Sequence, residues 1–334
     1  MNSVKKIILW IVVLVVLLAG AVVGYAWYWS TQPVPLETAS TRFTVEPGAR
    51  LRTIANAMNQ AGVMVPPDYL VLLGRYTGLD TKIKAGTYEV TSGDTPLTLL
   101  QRMANGDMAQ SRLTLVEGWT YQRIRNALRE HPDVRQTLGD ISDKALLERL
   151  GASYEHPEGL FYPDTFVFAA GTSDMDVLSQ SYNAGQALLE TLWENRQPDL
   201  PLATPYEALI LASIVEKETG SAADRARVAG VFINRLRVGM PLQTDPTVIY
   251  GMGDTYQGRI RKKDLQTDTP WNTYTRPGLP PTPIASPGKD ALIAALNPEK
   301  HDYYYFVARG DGSSEFSKNL NEHNRAVRKF ILGR

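Results

Sequence analysis

Two glutamates lie at the end of a strongly apolar stretch of sequence. The stretch "LILASIVEKETG", residues 209–220, leads directly into Glu216 and Glu218. Residues two positions apart on a helix are separated by about 200° around its axis, so both carboxyl groups cannot face one cleft. Helical phase places Glu218 on the more apolar stripe, where burial raises the pKa of a carboxyl group and keeps its proton available. We therefore predict that Glu218 is a general acid and that Glu216 points elsewhere.

The helix that carries them has recognisable end signals. Thr204 and Pro205 suit an N-cap and a first helical position, and Glu207 completes a capping box. Gly220 suits a C-terminal cap. The alternative role for Glu218 at such a helix end is a surface ion pair. Its candidate partners are Lys217, Arg225 and Arg227.

Two later segments contain side chains suited to a sugar. They are "GVFINRLRVGMPLQTDPTVIYG" (230–251) and "TDTPWNTYTRPGLPPTPIASPG" (267–288), and the six prolines of the second predict an ordered loop. An aromatic ring can lie on the apolar face of a sugar while amides and hydroxyls bond to its hydroxyl groups. We predict substrate contacts from Asn234, Gln243, Thr244, Asp245, Thr247, Trp271, Asn272 and Tyr274. The alternative for the proline-rich loop is simple packing.

Other kinds of site lack the residues that they need. Acidic and basic residues balance at 35 each, which argues against a nucleic-acid-binding protein. The chain has no cysteine, and its four histidines are scattered without metal-ligand spacing. There is no glycine-rich phosphate loop and no dinucleotide fingerprint. We therefore predict no nucleic-acid partner, no metal and no cofactor.

The N-terminal segment predicts a membrane span. Residues 7–29 carry no charge, and about 20 apolar residues suffice to cross a bilayer. Lys5 and Lys6 precede the segment and Trp27 and Trp29 end it, so the N-terminus is expected in the cytoplasm and the rest of the chain across the membrane. The alternative is a cleaved signal peptide.

A short pattern occurs three times after this segment. Residues 43–58, 88–103 and 113–128 each have an apolar strand pattern, a glycine and an apolar helical pattern. Each copy predicts a strand, a turn and a helix. The pattern resembles the LysM module, which implies binding of glycans that contain N-acetylglucosamine. The alternative is a purely structural support for the next domain.

These signals predict an α+β protein with a transmembrane helix, a LysM-like α/β module and a mixed α+β catalytic domain. The expected divisions are a cytoplasmic N-terminus (1–6), a transmembrane helix (7–29), a linker (30–41), the LysM-like domain (42–110) and the catalytic domain (111–334).

Several motifs together resemble one enzyme family. They are "EGLFYPDTF", "ASIVEKET", "FINRL", "GMPLQTDPTVIYG", "GLPPTPIASPG" and "FSKNLNEHN". In this order they resemble the endolytic murein transglycosylases (the MltG, or YceG-like, family). The resemblance implies an inner-membrane protein with its catalytic domain in the periplasm, which cuts peptidoglycan strands between N-acetylmuramic acid and N-acetylglucosamine. It places the catalytic glutamate at Glu218, and peptidoglycan synthases are candidate partners.

The implied mechanism needs a single acid–base residue. Glu218 would protonate the glycosidic oxygen and then take the proton of the C6 hydroxyl, which closes a 1,6-anhydro ring on the muramic sugar. Two alternatives stay open. A hydrolase would need a second carboxylate to activate water, for which Asp245 is the candidate. A glycan-binding scaffold without enzymatic activity would not need Glu218.

Overall fold

The computed structural model describes residues 3–333 and divides them into two compact units. The first unit contains the described residues up to Ser111 together with Val167–Thr172, and the second contains Arg112–Phe166 and the chain from Ser173 onward. Helices and two-stranded antiparallel sheets are mixed in the chain, which confirms the predicted α+β class. The first two residues of the predicted cytoplasmic N-terminus, and Arg334, lie outside the described residues.

The first unit begins with a long apolar helix. Helix α1 (Ser3–Thr31) contains the whole predicted span 7–29, and residues 7–28 are exposed. At about 1.5 Å per residue, its 29 residues are longer than the roughly 30 Å hydrocarbon core of a bilayer. The helix is therefore long and apolar enough to cross a membrane.

The rest of the first unit is a small α/β module. Its elements are β1 (Ser40–Val45), α2 (Leu51–Gln60), α3 (Pro67–Thr77), β2 (Gly86–Thr91) and α4 (Pro96–Asn105). Strands β1 and β2 pair antiparallel, and Phe43 stacks on Tyr88 in the core with 6.0 Å between ring centroids. Part of the segment expected as a linker, residues 30–41, packs onto this module, because Val34 is buried and Leu36 bridges to Val63.

The threefold strand–turn–helix pattern is confirmed. The copies form β1–α2, β2–α4 and a third pair, β3 (Gln110–Thr114) followed by α5 (Tyr121–Glu130). Their turns contain Gly48, Gly93 and Gly118, all with positive φ. Glycine reaches this region without steric cost, because it has no Cβ atom. The shared glycine position therefore reflects a shared turn geometry.

The second unit contains the remaining elements. They are α6 (Asp143–Leu150), β4 (Thr165–Ala169, which like β3 has residues in both units), α7 (Asp174–Glu194), α8 (Pro205–Glu218), α9 (Ala222–Arg237), α10 (Asp245–Met252), a 3₁₀ turn (Gly253–Thr255), α11 (Lys262–Gln266), α12 (Lys289–Leu296), β5 (Tyr305–Ala308), β6 (Ser314–Ser317) and α13 (Leu320–Phe330).

Helix α8 lies at the centre of the second unit. It packs against α7, α9 and α12, and every residue from Ala208 to Val215 is buried. One buried hydroxyl ties it to the proline-rich segment: Ser213 Oγ donates to the carbonyl of Ile210 (2.7 Å) and accepts from the amide of Ile284 (3.0 Å). The core helix thereby positions the segment that was expected to contact a ligand.

The ends of α8 differ in part from the prediction. Thr204 caps the helix as expected, since its hydroxyl accepts from the amide of Glu207 (3.2 Å). The Glu207 carboxylate reaches the amide of Ala203 (2.6 Å), one residue before the partner that a capping box requires. The predicted glycine cap at Gly220 is wrong, because Thr219 leaves the helix in an extended conformation and Gly220 has no positive φ. Glu218 is thus the last helical residue.

Candidate active site

Glu218 is half-buried at the end of α8. Its Oε1 accepts a hydrogen bond from the hydroxyl of Thr244, which directly precedes α10. Burial is the main cause that raises the pKa of Glu218, and the charge of Asp245 raises it further. The Thr244 hydroxyl and the Arg235 guanidinium act in the opposite direction. The balance favours a carboxyl group that keeps its proton at a higher pH than an exposed glutamate does.

Glu216 contacts a different part of the unit, as its helical phase predicts. Its Oε2 accepts from the backbone amide of Gly288 (3.1 Å), just before α12. Burial also raises the pKa of Glu216, because α8 is buried on all sides rather than on one stripe. A pKa raised by burial is therefore shared by both glutamates and does not by itself single out Glu218. The surroundings distinguish the two carboxyls: Glu216 contacts a backbone amide, whereas Glu218 faces the polar residues before α10.

The candidate ion-pair partners of Glu218 are engaged elsewhere. Arg225 pairs with Asp290 (3.2 Å), and Arg227 pairs with Glu299 (3.0 Å). Lys217 donates to the carbonyl oxygen of Gly118 (3.3 Å). These contacts argue against a surface ion pair as the role of Glu218.

The segment before α10 is held by two backbone hydrogen bonds to Thr273. The amide of Gln243 donates to the Thr273 carbonyl (3.1 Å), and the amide of Thr244 donates to the Thr273 hydroxyl (3.1 Å). Gln243 has φ +47°, a left-handed conformation that is uncommon outside glycine and that often marks functional sites. The side chains of Gln243 and Asp245 are exposed, and Asp245 accepts from the hydroxyl of Tyr274 (2.6 Å). This segment presents its polar groups beside Glu218.

Arg235 is a site residue that the sequence reasoning missed. It is buried, with 7% of its surface exposed, and its guanidinium donates to the carbonyls of Tyr304 (2.7 Å), Leu242 (2.6 Å) and Pro241 (3.4 Å). Pro241 and Leu242 directly precede Gln243, so Arg235 holds in place the backbone that leads into Gln243 and Thr244. A usable signal was present, because an arginine on the apolar stripe of α9 predicts a buried role: the stripe also contains Val228, Val231 and Phe232.

Asn272 and Thr247, two of the predicted substrate contacts, are buried inside the protein. Asn272 is 0% exposed, and its amide donates to the carbonyls of Thr267 (2.7 Å) and Leu265 (3.1 Å). Thr247 is also 0% exposed and donates to the Thr244 carbonyl (2.8 Å). Because these groups are already hydrogen-bonded and inaccessible, we reassign both residues from ligand contact to support of the site segments.

Asn234 has the same supporting role. Its amide donates to the carbonyls of His301 (2.7 Å) and Tyr303 (3.0 Å), which tie α9 to the segment before β5. These bonds occupy both amide hydrogens, so the side chain has no donor left for a sugar. We therefore reassign Asn234 to packing as well.

Trp271 is half-buried and fixed from behind. Its indole nitrogen donates to Thr282 (2.9 Å), and its ring meets Tyr250 edge-on with 5.4 Å between centroids. Tyr250 in turn donates to the buried carboxyl of Glu158 (3.1 Å). Burial raises the pKa of Glu158 to about 7. Stacking of a sugar on Trp271 stays a prediction, and it would use a ring that is already held in one orientation.

Within residues 3–333, no three histidine, aspartate or glutamate side chains converge in a metal-binding arrangement. Proton transfer by Glu218, with the charge of Asp245 beside it, stays a prediction.

The chain is similar to several known proteins. The model of the YceG-like family matches residues 43–329. The endolytic murein transglycosylase of Bacillus subtilis (strain 168) is 30% identical over 319 residues, which cover 90% of this chain and 88% of the relative. That of Streptococcus pneumoniae serotype 2 (strain D39) is 26% identical over 362 residues, which cover 97% of this chain and 65% of the relative. The 2.6 Å crystal structure of a putative yceG-like protein from Listeria monocytogenes has a TM-score of 0.53 and 28% identity, and the match covers 86% of this chain and 98% of that one.

Proposed function

Because the chain belongs to the YceG-like family, we propose that it is a lytic transglycosylase that cleaves peptidoglycan between N-acetylmuramic acid and N-acetylglucosamine, within the glycan strand. The observation that carries the proposal is Glu218, a half-buried carboxyl group with a raised pKa at the edge of an exposed polar segment. Such a group can hold a proton for a leaving glycosidic oxygen and take one back in the next step.

The proposed reaction has two proton transfers, both at Glu218. In the first, the protonated carboxyl gives its proton to the glycosidic oxygen as the bond to C1 of the muramic sugar breaks. In the second, the resulting carboxylate takes the proton of the C6 hydroxyl as O6 bonds to C1, which restores the acid. The charge of Asp245 favours the positive character that develops at C1, and Tyr274 holds that carboxylate in place.

The hydroxyl of Thr244 lowers the upper pH limit of the proposed reaction. It donates to Glu218 and stabilises the ionised form, so it lowers a pKa that burial raises. Activity requires the protonated form and should fall as pH rises through this pKa. In Thr244→Val the donor is gone, the pKa of Glu218 should rise further, and the alkaline limb of the pH profile of kcat/KM should move to higher pH.

Thr244→Ser is the matched control for this prediction. It keeps the hydroxyl, so its alkaline limb should stay close to that of the unchanged chain. A Thr244→Val variant that is folded and active but has an unshifted alkaline limb would contradict the role of this hydrogen bond.

The product tests the reaction type. Purified full-length protein is incubated with glycan strands, and the new ends are weighed by mass spectrometry. A transglycosylase leaves 1,6-anhydro ends that are lighter by one water than the ends left by a hydrolase. New ends that have all gained water would overturn the proposal.

A change at Asp245 distinguishes the proposal from the hydrolase alternative. That alternative needs a second carboxylate near Glu218, and Asp245 lies beside it. In a transglycosylase Asp245→Asn removes a stabilising charge, so the rate should fall by about tenfold to a hundredfold while the product keeps its anhydro end. In an inverting hydrolase the same change removes the base that activates water. Loss of all product, with only hydrolytic ends in the unchanged chain, would favour the hydrolase.

The proposed location follows from α1. A helix of this length and composition preceded by Lys5 and Lys6 supports a single span of the inner membrane, with the N-terminus in the cytoplasm and the rest in the periplasm. The strand β1, two helices and the antiparallel strand β2 support a LysM-like module that binds glycan. We include peptidoglycan synthases as candidate partners, since they produce the strands that the enzyme would cut.

A further inference from the structure

Helix α3 exposes apolar side chains along one face. Tyr69, Leu72 and Tyr76 are 44%, 63% and 83% exposed, and together with the half-buried Leu73 they have the i, i+3, i+4, i+7 spacing of one helical stripe. The opposite face is also apolar, because Leu70 is buried in the core of the first unit. A helix on a water-exposed surface normally has polar residues on its outer face. The apolar stripe of α3 is defined by these four residues, and such an exposed patch indicates contact with an apolar partner.

The apolar stripe forms one wall of a groove in the first unit. The groove has a volume of about 840 Å³, and α1 forms another wall with Leu18, Val22, Tyr25 and Trp29. Among the described residues that line it, none is charged. A sugar needs amide, hydroxyl and carboxylate partners for its hydroxyl groups, so this lining suits hydrocarbon instead.

The groove is fixed to the helix that would cross the membrane. Trp29, near the end of α1, meets Tyr69 edge-on with 5.4 Å between ring centroids, and Ser30 is fully buried against the unit. The groove therefore lies along the C-terminal half of the proposed span rather than on a separate, tethered body. Tyrosine rings such as those of Tyr25 and Tyr76 are typical of the boundary between lipid headgroups and acyl chains.

We propose that the apolar stripe and the groove bind acyl chains of membrane lipids, so that the first unit lies in the surface of the bilayer. The inference rests on the membrane anchor of the proposed function. It goes further, because an anchor alone would permit a module that stands away from the membrane. Lipid contact along α3 would instead hold the module at one height and orientation relative to the bilayer, as for an interfacial helix.

Site-directed spin labelling tests this proposal, and the absence of native cysteine makes single labels straightforward. Full-length Leu72→Cys and Tyr76→Cys variants are labelled and reconstituted in vesicles of phosphatidylethanolamine and phosphatidylglycerol. Collisions of the label with oxygen, which concentrates in lipid, are compared with collisions with a water-soluble nickel complex. Because both side chains are exposed, neither change should disturb the fold.

Two further labels calibrate the measurement. Val16→Cys, in the middle of α1, reports insertion of the anchor. Ser92→Cys is an exposed control on the aqueous side, because its neighbour Asp94 accepts from the amide of Val34, beyond the end of α1. We expect labels at Leu72 and Tyr76 to show oxygen-to-nickel collision ratios severalfold above that at Ser92.

Each other outcome overturns the proposal in a distinguishable way. If the label at Val16 is in lipid while the labels at Leu72 and Tyr76 are as accessible to nickel as the label at Ser92, α1 spans the membrane but the proposed lipid contact of α3 is wrong. If Val16 is in water, the anchor fails and the inference fails with it. If labels on the apolar stripe are shielded from both reagents, the groove is filled by protein, which in these vesicles means a second copy of the chain.

Discussion

Glu218→Gln should abolish cleavage of glycan strands while the fold and the binding of glycan remain. The amide keeps the shape of the side chain and can still accept from Thr244, but it has no proton to give to the glycosidic oxygen. Loss of a general acid–base group typically lowers a rate by about 10²–10⁴, and here the same group serves both proton transfers. The measurement is the yield of 1,6-anhydro ends by mass spectrometry at equal concentrations of folded protein.

Glu216→Gln is the matched control on the same helix. Its carboxyl bonds to the amide of Gly288 and faces away from Thr244, so the change should reduce the rate much less than Glu218→Gln does. It can still lower stability, because a buried partner of a backbone amide is altered. An inactive Glu216→Gln with an active Glu218→Gln would overturn the assignment. Full cleavage by both variants would remove carboxyl catalysis from the proposal.

Arg235→Met should be the most destabilising single change near the site. Methionine fills part of the volume but leaves three carbonyl oxygens without their donor: the buried one of Leu242 and the half-buried ones of Tyr304 and Pro241. Unsatisfied buried polar groups cost about 1–3 kcal/mol each, so we expect a loss of about 3–5 kcal/mol in the free energy of unfolding. The measurement is denaturant-induced unfolding followed by circular dichroism.

The catalytic consequence of Arg235 can be separated from the loss of stability. Arg235→Lys keeps the charge but cannot reproduce the guanidinium fork. It should lower the free energy of unfolding less than Arg235→Met does. It should still lower kcat, because Gln243 and Thr244 lose their fixed position. Arg237→Met is the control on the same helix, since Arg237 is exposed and bonds only at the surface, to the carbonyl of Asp199 (3.1 Å). An Arg235→Met protein as stable as Arg237→Met would show that the buried contacts contribute little.

Local periodicity was sufficient for the elements that the sequence analysis predicted and for the phase of Glu218. The apolar run and the cap at Thr204 predicted α8, and the rotation of about 200° between residues two positions apart separated Glu216 from Glu218. The three strand–turn–helix copies and the apolar segment 7–29 were equally readable. These features depend on residues that lie within one or two turns of each other, so the sequence contains them directly.

Local periodicity did not predict which polar side chains reach a ligand. Asn272, Asn234 and Thr247 have the residue types of sugar contacts, and the structure instead uses their hydrogen-bonding groups inside the protein. An amide or hydroxyl has the same chemistry in a binding site and in a buried loop. Only the packing of distant segments decides whether its partner is a ligand or a backbone carbonyl.

The sequence by itself determined helix α8, the three strand–turn–helix copies with their glycine turns, the apolar span and the carboxyl group to which the chemistry is assigned. The tertiary structure decided its surroundings: Thr244 as the hydrogen-bond donor, Asp245 as the neighbouring charge and Arg235 as the buried support. Thr244 and Glu218 are 26 positions apart. No periodicity of a single helix or strand connects residues at such a separation, and burial with its effect on a pKa exists only after the elements have packed together.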